Sequence, residues 1–213
     1  MKTDDLVALL AKDVRPVSSG AVPMRLALFG AAGMVAAFVI LLAWLGIRPD
    51  LSNAVTGTTF WMKAGYTIGL AVAGFVLVER LARPGASGRL GGVLLALVVI
   101  AIATLGVIQL SSTPPEGMDA ALLGSSWNKC PWRILALSVP GLLALLTALR
   151  RFAPPNPWLA GAAAGLLAGG LGATIYGLYC QESAAPFVAI WYSVGIGLSG
   201  LLGSLIGSRV LRW

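Results

Sequence analysis

Six apolar stretches, each about twenty residues long, constrain this chain more than any other feature, because that length of helix is what crosses the hydrocarbon core of a bilayer. They run over 26–47, 60–78, 90–110, 134–149, 158–179 and 187–206, and a single charged residue, Lys63, falls inside them. With 58% hydrophobic and 11% charged residues, the composition is too apolar for a water-soluble domain. Lys63 lies near the start of its run, and the expectation is that its ammonium reaches the headgroups.

The fourth run is short, 16 residues, and contains Pro140, so it is either a span or a re-entrant segment. The positive charges decide, since cytoplasmic flanks carry the excess of lysine and arginine. Six spans put Lys2, Lys12, Arg15, Arg25, Arg80, Arg83, Arg89, Arg150, Arg151, Arg209 and Arg212 inside and Arg48, Lys63, Lys129 and Arg133 outside, 11 against 4. If the fourth run did not cross, the division would be 7 against 8 and the bias would vanish. The expected fold is therefore an all-α integral membrane bundle of six transmembrane helices. Both termini are cytoplasmic, with residues 1–25 as a cytoplasmic N-terminal segment and 26–213 as the membrane domain. Asp4, Asp5, Lys12, Asp13 and Arg15 precede any long apolar run, unlike a cleaved signal peptide, so the segment is expected to be retained.

The membrane interior is poor in chemistry. The six runs hold no carboxylate, and Lys63 and Gln109 lie near their ends. Thr67, Thr104, Ser138, Thr147, Thr174, Ser193 and Ser199 are the deeper polar groups, expected to bond to carbonyls of their own helices and not to line a solute pathway. No histidine is present, which removes the usual general base, haem ligand and commonest zinc ligand. No phosphate-binding loop, nucleophile elbow or C-x-x-C occurs either. Neither an enzyme nor a bound cofactor or metal is expected. The net charge of +7 sits at the ends of apolar runs without interleaved aromatics, a topological placement that gives no ground for direct nucleic-acid binding. Gly65/Gly69, Gly161/Gly165/Gly169 and Gly203/Gly207 repeat at the four-residue spacing that lets helix backbones approach, within the chain or across a homodimer.

Two places carry possible chemistry. Cys130 and Cys180 are the only cysteines, and six spans put both near the outer interface, one before the fourth helix and one at the end of the fifth. Three readings stand: a structural disulfide, a reversible redox switch, or two thiolates on a soft metal ion. Lys129 would favour a Cys130 thiolate if its charge turned toward the sulfur, and Glu182 would act oppositely on Cys180. The other place is residues 1–16. Thr3 can cap a helix, Asp4 and Asp5 suit its first turn, Leu6, Leu9, Leu10 and Val14 form one stripe, and Pro16 stops it. Such a short amphipathic helix folds only against something. Its three aspartates against Lys2 and Lys12 favour a protein partner over anionic lipid.

The opening MKTDDLVALLAKDVRPV, the six spans, the W-x-x-C-P-W element at 127–132, and the later C-x-E (180–182) followed by F-x-x-x-W-Y (187–192) together resemble the NrsF-type membrane anti-sigma factors, negative regulators of sigma-F. The resemblance covers essentially the whole chain. It implies a multi-pass protein of the bacterial inner membrane whose cytoplasmic N-terminus binds an extracytoplasmic-function sigma factor and keeps it from RNA polymerase. On this reading Asp4, Asp5, Leu6, Leu9, Leu10 and Asp13 face the partner, and Cys130 and Cys180 sense periplasmic redox or metal stress. A small transporter or permease and a membrane scaffold subunit are the alternatives from other classes.

Overall fold

The computed structural model of the chain describes residues 20–212, and among them all regular structure is helical. Six long helices dominate: α1 (Ala21–Trp44), α2 (Thr58–Leu81), α3 (Arg89–Ser111), α4 (Cys130–Leu149), α5 (Pro157–Tyr176) and α6 (Ala185–Val210). Each is long and apolar enough to cross a membrane. The partner-facing expectation for Asp4, Asp5, Leu6, Leu9, Leu10 and Asp13 lies outside the described residues.

The helix ends depart from the apolar runs for local reasons. α4 starts four residues before its run and spans 20 residues in spite of Pro140. Pro131, Pro157 and Pro186 sit in the first two positions of α4, α5 and α6, where a missing N–H costs no intrahelical bond. α1 stops at Trp44 because Gly46, at φ 76°, turns the chain and its N–H closes back on the Leu41 carbonyl. α2 runs past its apolar stretch to take in Glu79 in its last turn, so one carboxylate does belong to a helix long enough to cross a membrane. That carboxylate pairs with Arg83 one turn on, and the Arg80 guanidinium lies 3.7 Å from it.

α5 is the central helix, packed against α1, α2, α4 and α6. Small residues make this possible. A Cβ on Gly165 would stand 2.8 Å from the Gly200 Cα, and one on Gly203 would stand 2.9 Å from the Gly165 Cα. The α5–α6 approach therefore exists only because these positions are glycine, as their spacing suggested. The Gly65/Gly69 pair does not act this way: Gly65 faces open space and Gly69 meets the side chain of Val98. α3 is the outermost helix, held to α2 where Gly91 leaves room for the Leu77 backbone.

Two ends result. At one, the Arg25 guanidinium lies over the rings of Phe29 and Phe152, bringing the start of α1 to the end of α4. At the other, the Arg48 N–H bonds the Leu178 carbonyl, bringing the end of α1 to the end of α5. Following the helices up and down, Arg25, Arg80, Arg83, Arg89, Arg150, Arg151, Arg209 and Arg212 belong to the first end and Arg48, Lys63, Lys129 and Arg133 to the second.

Candidate functional site

The chemistry gathers at the second end, around the segment 177–184 that joins α5 to α6. Its helix stops at Tyr176, and although the Cys180 N–H still reaches the Tyr176 carbonyl, the carbonyls beyond have no helical partner. Away from bulk water such groups need donors. The Lys63 ammonium of α2 supplies them, donating to the Cys180 carbonyl at 2.7 Å and to the Glu182 carbonyl at 2.9 Å. Arg48 adds a longer bond, 3.4 Å, to the Cys180 carbonyl. Lys63 is thus only 3% exposed and points into the protein, not out to the headgroups as its place in the sequence suggested. The unpaired carbonyls of the connector offer it more than a snorkelling route does.

Both cysteines are free thiols and both are buried. Cys130 is the first residue of α4, and Cys180 lies four positions beyond the end of α5. They belong to one cluster of buried side chains with Tyr66, Ile134, Tyr176, Phe187 and Tyr192. The rings of Tyr176 and Tyr192 are 5.8 Å apart. Their hydroxyls are buried without a hydrogen bond of ordinary geometry and face the thiols, Tyr176 toward Cys130 and Tyr192 toward Cys180. Tyr192 closes a π-helical turn, Val188–Tyr192, inside α6. Such a turn shifts the helical register, and here Tyr192 ends buried while Trp191 reaches sideways to donate its indole N–H to the Leu122 carbonyl at 2.8 Å and to pack on Trp127 at 5.3 Å.

A polar frame surrounds this pair. Glu182 turns its carboxylate to the loop before α4, accepting from the Ser125 N–H at 2.8 Å and the Ser125 hydroxyl at 2.7 Å. Gly124, at φ 54°, lets the two meet, since a Cβ there would stand 2.6 Å from the carboxylate. Gln109 at the end of α3 accepts from the Ala185 N–H at 2.8 Å. Arg133 donates to the Tyr179 hydroxyl at 3.2 Å with its guanidinium over that ring. Arg48 holds Asp50 through two bonds, 2.8 and 2.7 Å. That pairing keeps the Asp50 carboxyl down at about 2 and raises the Arg48 guanidinium above its ordinary value. A cleft of about 390 Å³ opens here, with Arg48, Arg133, Ser125, Tyr176, Cys180 and Glu182 in its walls.

The structure therefore brings Cys130 and Cys180 together, as their common depth suggested, but not with the charges the sequence offered. Lys129 is exposed, and the cations beside Cys180 are Lys63, which is buried, and Arg48. Glu182 engages Ser125. Lys63, Arg48, Tyr176 and Tyr192 were not singled out in the sequence as site residues. Lys63 left a signal as the sole charge inside an apolar run, where an ionisable residue usually has a purpose, and Tyr192 as the end of the F-x-x-x-W-Y element.

Deeper in the bundle, every one of the seven serines and threonines named above bonds to a carbonyl of its own helix. Several also bridge helices. Tyr66 of α2 meets Ser193 of α6 at 2.5 Å, Thr174 of α5 meets Thr67 of α2 at 3.0 Å, and Ser138 of α4 meets Ser199 of α6 at 2.8 Å. Among the described residues no three cysteine, aspartate, glutamate or histidine side chains gather as a metal ion would need. What the arrangement can do is thiol chemistry beside a buried ammonium.

Comparison with known proteins bears on the whole chain. Residues 10–213 match the family described as NrsF, negative regulator of sigma F. The chain is 47% identical over 214 residues to the anti-sigma-F factor NrsF of Caulobacter vibrioides (strain NA1000 / CB15N), covering all of both chains. It is 37% identical over 213 residues to the probable anti-sigma-F factor NrsF of Azospira oryzae (strain ATCC BAA-33 / DSM 13638 / PS), again over the full length of both. No solved structure matches it.

Proposed function

This chain belongs to the NrsF family of negative regulators of sigma F, and we propose from that premise that it holds an extracytoplasmic-function sigma factor at the inner membrane and releases it in response to chemistry at Cys130 and Cys180. The N-terminal segment binds the sigma factor in the cytoplasm, with Leu6, Leu9 and Leu10 as the apolar anchor and Asp4, Asp5 and Asp13 as the charged edge. The arginine-rich end of the bundle faces the cytoplasm and the cysteine end faces the periplasm, as the distribution of positive charge favours.

The observation that carries the sensory half is the placement of both buried thiols in one cluster beneath the α5–α6 connector. With a hydroperoxide as oxidant, one sulfur attacks the peroxide oxygen, the O–O bond breaks and an alcohol leaves. The second thiol then attacks the sulfenic sulfur, a disulfide forms and water leaves. A soft metal ion bridging the two sulfurs would pull on the same elements. Either event moves a connector that is bonded to α2 through Lys63, to α3 through Gln109 and to the loop before α4 through Glu182. The interhelical hydroxyl contacts give that movement a path toward the other end of the bundle.

The binding half is tested by purifying the full chain and one lacking residues 2–14 in mild detergent and identifying the soluble proteins that accompany each. A sigma factor accompanies the full chain and not the truncated one. Equal recovery with both would move the binding site elsewhere, and recovery with neither would remove the anti-sigma reading. The transport alternative loses ground because the hydroxyls that could line a solute pathway are engaged by carbonyls.

A further inference from the structure

Lys63 is a buried cation that forms no ion pair among the described residues. Its ammonium spends two donors on the neutral carbonyls of Cys180 and Glu182, its two hydrogen-bond acceptors among the described residues. The ion pairs among the described residues join Arg48 with Asp50 and Arg80 and Arg83 with Glu79, and none includes Lys63. The Glu182 carboxylate turns to Ser125 and leaves its main-chain carbonyl to the lysine, and the Asp50 carboxylate is paired with Arg48. A buried charge without a counter-charge is costly unless something nearby can supply one. The ionisable groups around Lys63 are the Cys180 and Cys130 thiols, Glu182, Arg48 and Tyr192, whose ring lies 5.9 Å from the ammonium. The ammonium grips the backbone of both Cys180 and Glu182, and since the Glu182 carboxylate is taken by Ser125, Cys180 is the thiol held beside it.

We propose that Lys63 is the positioning residue for thiol chemistry at this site, the resident counter-cation for the anionic form of the Cys180 sulfur. This deepens the reading that the cysteines react and rests on it. A thiol reacts through its anion, and a fixed, buried ammonium stabilises that anion more than an exposed lysine does. The cleft with Arg133, Ser125 and Cys180 in its walls gives a small reagent a way in. Once the sulfur is oxidised to a disulfide, that anion can no longer form.

The test is the rate at which Cys180 is alkylated by iodoacetamide at one pH, in full-length reduced protein in proteoliposomes carrying Cys130→Ser. In that reaction the sulfur anion attacks the methylene carbon, the S–C bond forms as the C–I bond breaks, iodide leaves and the thiol proton passes to solvent. Lys63→Met slows the reaction by about tenfold or more, and Lys63→Arg restores it. A lysine that merely clamped the backbone gives the opposite sign, because releasing the connector exposes the thiol and speeds alkylation. An unchanged or faster rate with Lys63→Met therefore overturns the proposal. Should Lys63→Met fail to fold, Lys63→Gln keeps a donor for the carbonyls without the charge: a slowed reaction supports the proposal and an unchanged one overturns it. No sigma factor enters the assay, so its failure leaves the anti-sigma reading standing, and failure of the sigma-factor capture leaves this rate unaffected.

Discussion

Glu182 and Ser125 are joined twice, the Ser125 N–H and hydroxyl both donating to the same carboxylate oxygen at 2.8 and 2.7 Å. The bond ties the α5–α6 connector to the loop before α4, so each cysteine lies a few residues from one of its two partners. Removing it with Glu182→Ala loosens both at once. The expected loss is about 1 kcal/mol of unfolding free energy in denaturing detergent, the usual worth of a partly exposed hydrogen bond, together with faster thiol alkylation. Full stability and unchanged alkylation would show that the two segments are held by other contacts.

The glycine positions divide into those that pack and those that do not. Gly165→Ala places a methyl 2.8 Å from the Gly200 Cα, and overpacking of that kind costs about 1–3 kcal/mol. Gly65→Ala meets open space and leaves stability the same or slightly higher, because alanine is the better helix former. Equal effects of the two substitutions in an unfolding titration would contradict the α5–α6 approach.

The hydroxyl pair Ser138 and Ser199 bridges α4 and α6 in a buried layer. A double-mutant cycle with Ser138→Ala and Ser199→Ala should give a coupling of about 0.6 kcal/mol, the average for such pairs in membranes. Additive effects would mean that each serine serves its own helix only.

Much of this architecture is legible in the sequence. The apolar runs and the internal bonding of serine and threonine were legible, and the fourth run forms a helix long and apolar enough to cross a membrane in spite of Pro140. The direction of Lys63 was not legible. A sequence gives the depth of a residue along a helix, but whether a lysine turns to headgroups or inward depends on which acceptors stand across from it, and those are carbonyls some 117 positions away. The inward pose of Tyr192 was hidden for a related reason. It follows a π turn, which breaks the 3.6-residue period that sequence reading relies on.

The Arg48–Asp50 pair has a defined acid limit. Arg48 holds the folded-state carboxyl near 2, below the ordinary value of about 3.9. The stability it contributes is therefore complete above pH of about 4 and is lost as pH falls through 2. The carboxylate infrared band that disappears in Asp50→Asn should titrate near 2 in the folded protein. A midpoint near 4 would mean the ion pair does not form.

The most direct test of the whole account is release of the sigma factor by thiol oxidation. The reduced full-length protein with its sigma factor bound is captured in mild detergent and treated with a hydroperoxide, beside the variant carrying Cys130→Ser and Cys180→Ser. Wild type lets the sigma factor go and the variant keeps it. Equal release from both, or retention by both under every oxidant and metal ion applied, would contradict a sensory role for the cysteine pair.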